Sequence, residues 1–346
     1  MPPRRPRRRR LLGLLALLAA ASAIAGAYSS IADVRPPGGA IAVEAIPVPL
    51  DPTQPSRDRL GPLVYRGGLW LRATHDRERR FGGLSDLRVT ADGSRAFIVS
   101  DCGEGVTAAL SYDAEGRLVG AGDVQVIPLE LGPVGGLDSE SLVMGEGSLE
   151  VGFEGRPKIL AYRKDPPFGG PPRALPVPQG VARCESNGGL ETMADVGGGR
   201  RLLVCEQRRF PSTTVPAWIG SGGKWTERDY PLVFEGGWAG EPFRPTGATL
   251  LPDGDVLVVE RRFPPLGARI VRLDNASLDG TGPLQPREIA RFEAPLTLDN
   301  FEGIDVRRDG SGRTLVYLIS DDNNCFKNGF DPLPQRTLLL MFALEG

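Results

Sequence analysis

The sequence predicts an all-β chain folded as a β-propeller of five or six four-stranded blades, and three observations predict it. First, five short apolar, β-prone runs at 97–101, 150–154, 202–206, 257–260 and 317–321 are each stopped by a carboxylate: Asp101, Glu154, Glu206, Glu260 and Asp321. They recur every ~50 to 60 residues, the span of one blade. Second, a turn signal precedes each run (Asp92-Gly93, Glu146-Gly147, Gly198-Gly199, Asp253-Gly254, Asp309-Gly310), and an earlier short strand precedes each turn, so every repeat opens with a β-hairpin. Third, Gly 46 and Pro 32 among 346 residues, spread between apolar runs, suit many short strands joined by tight turns.

The chain begins with a targeting segment. Arg4 to Arg10 form a basic region, Leu11 to Ala21 an apolar one, and Ala25-Gly26-Ala27 a small-residue cleavage site, which defines a signal peptide over 1–27. Arg8-Arg9 ahead of Leu11-Leu12 resembles a twin-arginine signal, and an uncleaved membrane anchor is the alternative. The expected location is periplasmic or secreted, with no membrane span once the signal is removed. Formal net charge is −2, and positive charge is concentrated in the leader. The rest of the chain is therefore acidic, which disfavours a nucleic-acid partner.

Residues 28–59 are Pro-rich, with one strand expected at 41–48. The propeller domain is expected over 60–346. Leu63 to Ala73 reads as a strand interrupted at Gly67-Gly68, and the repeats follow it. Their third and fourth strands are weaker, 159–162 and 175–177 being examples. Thr337 to Leu344 is strongly apolar and is expected to pair with an N-terminal strand and close the ring. A sixth blade built from the N-terminal segment is the alternative to five. Cys102, Cys184, Cys205 and Cys325 permit two disulfides in an exported protein, in three connectivities. Cys102 with Cys325 is the favoured pair, because both follow acidic strand ends of repeats that adjoin in a closed ring.

The first strand of each hairpin carries a second set of positions, read as Ser85, Glu140, Glu191, Ala248 and Glu302. Antiparallel pairing brings both sets to one edge of each sheet, and ring closure would gather them at one mouth of a central channel. Oxygen-only ligands of that kind, with Asp101, Glu140, Glu154, Glu206 and Asp321 as the candidate metal ligands, favour Ca²⁺ or Mg²⁺ over softer ions. Asp321-Asp322-Asn323-Asn324 is the densest oxygen cluster. Arg156, Arg208 and Arg261 follow acidic strand ends and are the candidate binders of an anionic substrate. Glu191 and Glu302 are the candidate catalytic bases. The competing reading makes these arginines and glutamates a structural network between blades. Ser-His-Asp chemistry is disfavoured: the single histidine, His75, lies in a charged run, and no Gly-x-Ser-x-Gly elbow occurs.

The chain also resembles a known family, the phytase-like domain described as "esterase-like activity of phytase". The resemblance rests on Arg66-Gly67-Gly68-Leu69, Phe81-Gly82-Gly83-Leu84-Ser85, Ser100-Asp101, Ser139-Glu140-Ser141-Leu142 and Asn187-Gly188-Gly189-Leu190-Glu191. It continues through Pro245-Thr246-Gly247, Glu260-Arg261, Asn300-Phe301-Glu302-Gly303-Ile304 and Thr337-Leu338-Leu339-Leu340. It implies a β-propeller and a distant likeness to calcium-dependent alkaline phytases. The Asp-Asp-Pro-Ala stretch expected of those enzymes is absent, and Cys102 stands where an arginine is expected. Two functions follow as expectations. One is an exported hydrolase (a phosphatase or esterase) acting on a small anionic ester with bound calcium. The other is a non-catalytic periplasmic propeller that binds a ligand or protein.

Overall fold

The computed structural model describes residues 38–345 except 75, 77–79, 132–137, 186–187, 208–211, 236–239 and 324–334. The segment 1–27 expected to be a signal peptide, His75, Arg208, Asn324 and Cys325 lie outside the described residues. Within them the chain is all-β. The N-terminal strands are β1 (Gly39–Pro47), β2 (Arg59–Leu60) and β3 (Leu63–Thr74). Blade 1 is β4 (Leu84–Val89), β5 (Arg95–Ser100), β6 (Glu104–Tyr112) and β7 (Leu118–Pro128). Blade 2 is β8 (Ser139–Met144), β9 (Ser148–Phe153), β10 (Lys158–Arg163) and β11 (Gly169–Leu175). Blade 3 is β12 (Thr192–Asp195), β13 (Arg201–Val204), β14 (Thr214–Ser221) and β15 (Lys224–Pro231). After β16 (Val233–Phe234), blade 4 is β17 (Pro242–Leu250), β18 (Val256–Arg262), β19 (Gly267–Leu273) and β20 (Arg287–Phe292). Blade 5 is β21 (Asn300–Arg308), β22 (Thr314–Asp321) and β23 (Leu338–Leu344), completed by β3.

Every blade is an antiparallel meander, and the innermost strands touch in a closed cycle, β4–β8–β12–β17–β21 and back to β4. Five blades therefore make the ring among the described residues. The N-terminal segment adds no sixth. Its β3 pairs with β23, Leu339 opposite Leu69, and β1 bridges β3 to β7, joining blades 5 and 1 at their outer edges. Closure by the two chain ends is as the sequence predicts. In blade 2 the outer strand ends at Leu175 instead of running through 175–177.

Inner strands are buried on both faces, which is why they read as near-continuous apolar runs. Blade 2 packs Leu142, Val151 and Phe153 against Phe97 and Val99 of blade 1. Between blades 4 and 5, Phe292 meets Phe301 and Phe342 edge-on, with ring centroids 5.4 and 5.8 Å apart.

The axis carries a polar plug. Arg88 donates to the carbonyls of Ile304 (3.0 Å), Met193 (3.2 Å) and Ala248 (3.0 Å) and to Asp86 Oδ1 (2.9 Å). Asp86 Oδ2 accepts the Leu142 N–H at 2.8 Å. One ion pair thus contacts the innermost strands of all five blades. Next to it, Asp305 accepts from the Val89 N–H (2.7 Å) and Thr249 Oγ1 (3.1 Å).

Candidate functional site

The site is built by the register of each inner hairpin. In blades 1, 2, 4 and 5 the ladder slips by one residue and leaves a bulged position on the innermost strand: Ser85, Glu140, Thr246 and Glu302. In blade 3 the ladder begins at Thr192 opposite Val204, so Glu191 takes that position. A bulge re-aims its side chain out of the pleat's alternation. On the second strand, the residue just past the slip is Asp101, Glu154, Glu206, Arg261 or Asp321, as the backbone pairings 101–83, 154–138, 206–189, 261–244 and 321–300 establish.

Two sequence assignments change as a result. Glu260 is not a member of the ring, and Ala248 is not the partner position of blade 4. Arg261 and Thr246 hold those places. A one-residue slip in a strand sends a side chain to the opposite face. Glu260 is fully buried on that other face, where Tyr230 Oη donates to it at 2.5 Å and Arg269 pairs with it.

The seven carboxylates Asp101, Glu140, Glu154, Glu191, Glu206, Glu302 and Asp321 lie close enough for their charges to act on one another in a continuous set. Arg261 stands among them, with Nη2 3.2 Å from Glu206 Oε1 and Nε 3.2 Å from Glu302 Oε1. Glu302 Oε1 also accepts from Asn300 Nδ2 at 2.8 Å. Glu154 Oε2 is held by two backbone donors of the next blade, Gly188 N–H (2.7 Å) and Gly189 N–H (2.9 Å), which gives the Gly188-Gly189 pair ahead of Glu191 its role. Gly83, at φ +60°, leaves room for Asp101. A Cβ there would come within 1.9 Å of Asp101 Oδ1.

Asp138 is the member that sequence reading missed. It lies outside the two repeated sets, and each of Asp138, Glu140 and Glu154 offers an oxygen within 4.8 Å of the others. The signal available was its spacing of two from Glu140, in Asp138-Ser139-Glu140 at the head of β8. Of the remaining candidates, Arg156 is exposed on the turn between β9 and β10. Within the 321–324 cluster, Asp322 Oδ1 accepts the Gly83 N–H at 2.9 Å and Asp321 Oδ1 accepts the Asn323 N–H at 2.6 Å, and the charges of both act on Asp101. Cys184 is bonded to Cys205, which precedes Glu206; Cys102, which follows Asp101, is also disulfide-bonded.

Crowding shows in the titration of the acids. Burial, then Asp321 and Glu302, pushes Asp101 up to about 9. Burial, then Asp321, pushes Glu302 to about 8 against the pull of Arg261. Glu154 rises to about 7, chiefly through burial. Glu140 and Glu191 are driven well above the usual carboxylate range by burial and by neighbouring acids, Glu191 next to Glu140 and Glu206 next to Glu191. Like charges that cannot all ionise are the condition a bound cation relieves.

The sequence profile of a phytase-like family, described as "Esterase-like activity of phytase", matches residues 79–324. No curated protein matches the chain. Among solved structures the chain is similar to an endo-arabinase from Bacteroides thetaiotaomicron, at 14% identity and TM-score 0.45, over 75% of this chain and 93% of that one. It is similar to a luciferin-regenerating enzyme, at 11% identity and TM-score 0.42, over 77% and 93%. It is also similar to the PQQ-bound aldose sugar dehydrogenase from Streptomyces coelicolor, at 14% identity and TM-score 0.37, over 88% and 100%.

Proposed function

The chain belongs to the phytase-like family, and from that premise we propose that it is an exported β-propeller hydrolase of phosphate or carboxylic esters, working with a divalent cation at the acidic channel mouth. The observation that carries the proposal is the convergence of buried carboxylates from four blades around the guanidinium of Arg261.

The donor set suits a hard cation. Asp138, Glu140 and Glu154 offer only oxygen, lie within 4.8 Å of one another, and leave uncompensated charge that Ca²⁺ or Mg²⁺ would neutralise. Bound there, such an ion supplies Lewis-acid polarisation of the scissile group. The chain's own residues supply the rest. Arg261, already oriented by Glu206 and Glu302, presents donors to an anionic oxygen of the substrate. Glu191 and Glu302 are the general bases that take the proton from an attacking water. Glu302 suits that role because Asn300 fixes one of its oxygens and its titration lies near neutral pH. Export agrees with the buried Cys184–Cys205 bond, which persists in an oxidising compartment. No helix among the described residues is long and apolar enough to cross a membrane.

The test is turnover of aryl phosphates, phytate and aryl esters by the purified mature chain with added Ca²⁺. Glu191→Gln and Glu302→Gln should each lower the rate by ~10²- to 10⁴-fold. Absence of turnover on all three substrate classes, or full activity in both variants, rejects the proposal.

A further inference from the structure

Blade 4 is the odd member of the ring. At the position where blades 1, 2, 3 and 5 present Asp101, Glu154, Glu206 and Asp321, it presents Arg261. The guanidinium bridges carboxylates of two different blades, Glu206 of blade 3 and Glu302 of blade 5, at 3.2 Å each. A cation shared by acids from two blades does the electrostatic work of a bridging metal ion, with one charge instead of two and with a covalent tether.

A second, independent feature lies beside it. Glu191 is 8% exposed, and its carboxylate makes no hydrogen bond or ion pair among the described residues. It is turned toward Glu206, Arg261 and Glu302. A buried carboxylate without a partner is costly unless a ligand completes its surroundings. Glu154, by contrast, has two backbone donors, and Glu206 and Glu302 have Arg261.

We propose that Arg261 holds the place of a second divalent cation, so that removal of its guanidinium opens a second ion site formed by Glu191, Glu206 and Glu302. In the native chain the mouth then takes a single ion, on the side of Asp138, Glu140 and Glu154. This rests on the reading that the ring binds a cation, and it deepens that reading by fixing the number of ions and naming the residue that limits it.

The experiment counts Ca²⁺ per chain by equilibrium dialysis of the full mature protein, with the metal quantified by atomic emission. Arg261→Met should bind one Ca²⁺ more per chain than the native protein, and Arg261→Lys, which keeps the charge, the same number. An unchanged count in Arg261→Met, or a gain in Arg261→Lys as well, overturns the inference. Circular dichroism of Arg261→Met in Ca²⁺ confirms its fold. If that variant does not fold, Glu302→Gln decides the question in the native Arg261 background. It should leave the ion count unchanged, and loss of the ion in Glu302→Gln overturns the inference. The increment separates the two ideas. A native chain that binds no Ca²⁺ rejects the cation proposal and the native count of one, whereas one added ion in Arg261→Met over a native count of zero still supports the role of Arg261.

Discussion

Arg88 and Asp86, two residues apart on one strand, form a 2.9 Å ion pair on the propeller axis, with side chains 7% and 0% exposed. Through that pair and its backbone partners, every blade is bonded to one centre. Removing one partner of a buried pair leaves the other charge uncompensated, which costs about 3–5 kcal/mol. Arg88→Met should therefore lower unfolding free energy by about that amount in urea titration. Arg59→Ala, which breaks a fully exposed pair with Glu345, should have a far smaller effect, because solvent screens that pair. Equal effects from the two substitutions would reject a central role for Arg88.

Glu260 gives the second prediction, because its sequence context and its position disagree. Its buried partners are Tyr230 and Arg269, on the face away from the ring. Glu260→Gln should destabilise the fold by about 1–3 kcal/mol, the cost of weakening a buried charge-assisted network, and should leave the response to Ca²⁺ unchanged. Thermal melts with and without the ion check both parts. A loss of the Ca²⁺ response would return Glu260 to the site.

That disagreement shows which parts of the fold were legible in the sequence. The repeat length, the closing strand at 338–344 and the seven ring carboxylates were readable because apolar runs and terminal acids are local features. The exchange of Arg261 for Glu260 was not, because the bulge lies on the facing strand at Thr246 and leaves no mark in Val258-Val259-Glu260-Arg261, where an offset of one residue reverses the face. Arg88 was invisible for another reason. An arginine in a strand normally reads as solvent-facing, and only ring closure brings the carbonyls of three other blades to it. Asp138 stands where the other repeats have Gly83, Gly189, Arg244 and Asn300, so its acid does not recur and periodicity could not reveal it.

Cation binding itself is tested by ligand-linked stability. An ion that binds only the folded chain raises stability by about 2.7 kcal/mol at a concentration one hundred times its Kd. Ca²⁺ should therefore raise the melting temperature relative to chelator, and Asp138→Asn combined with Glu140→Gln should abolish the shift. An undiminished shift in that double variant would move the ion elsewhere.

The crowded acids also set a pH dependence with a definite sign. Asp101 titrates at about 9 and Glu302 at about 8 in the folded chain, against ordinary values of 3.8 and 4.5. Between those limits the folded state holds more protons than the unfolded one, so stability falls as pH rises. The contribution is fully present below about pH 4 and is lost as pH climbs through 8 and 9. In chelator, the melting temperature should decline from pH 5 to 9. Glu302→Gln, which cannot ionise, should make the decline shallower. Saturating Ca²⁺ should do the same, because a cation favours the ionised carboxylates that neighbouring acids oppose. A melting temperature that rises across this window in chelator would mean that these carboxylates are ionised in the folded state and compensated by groups other than protons.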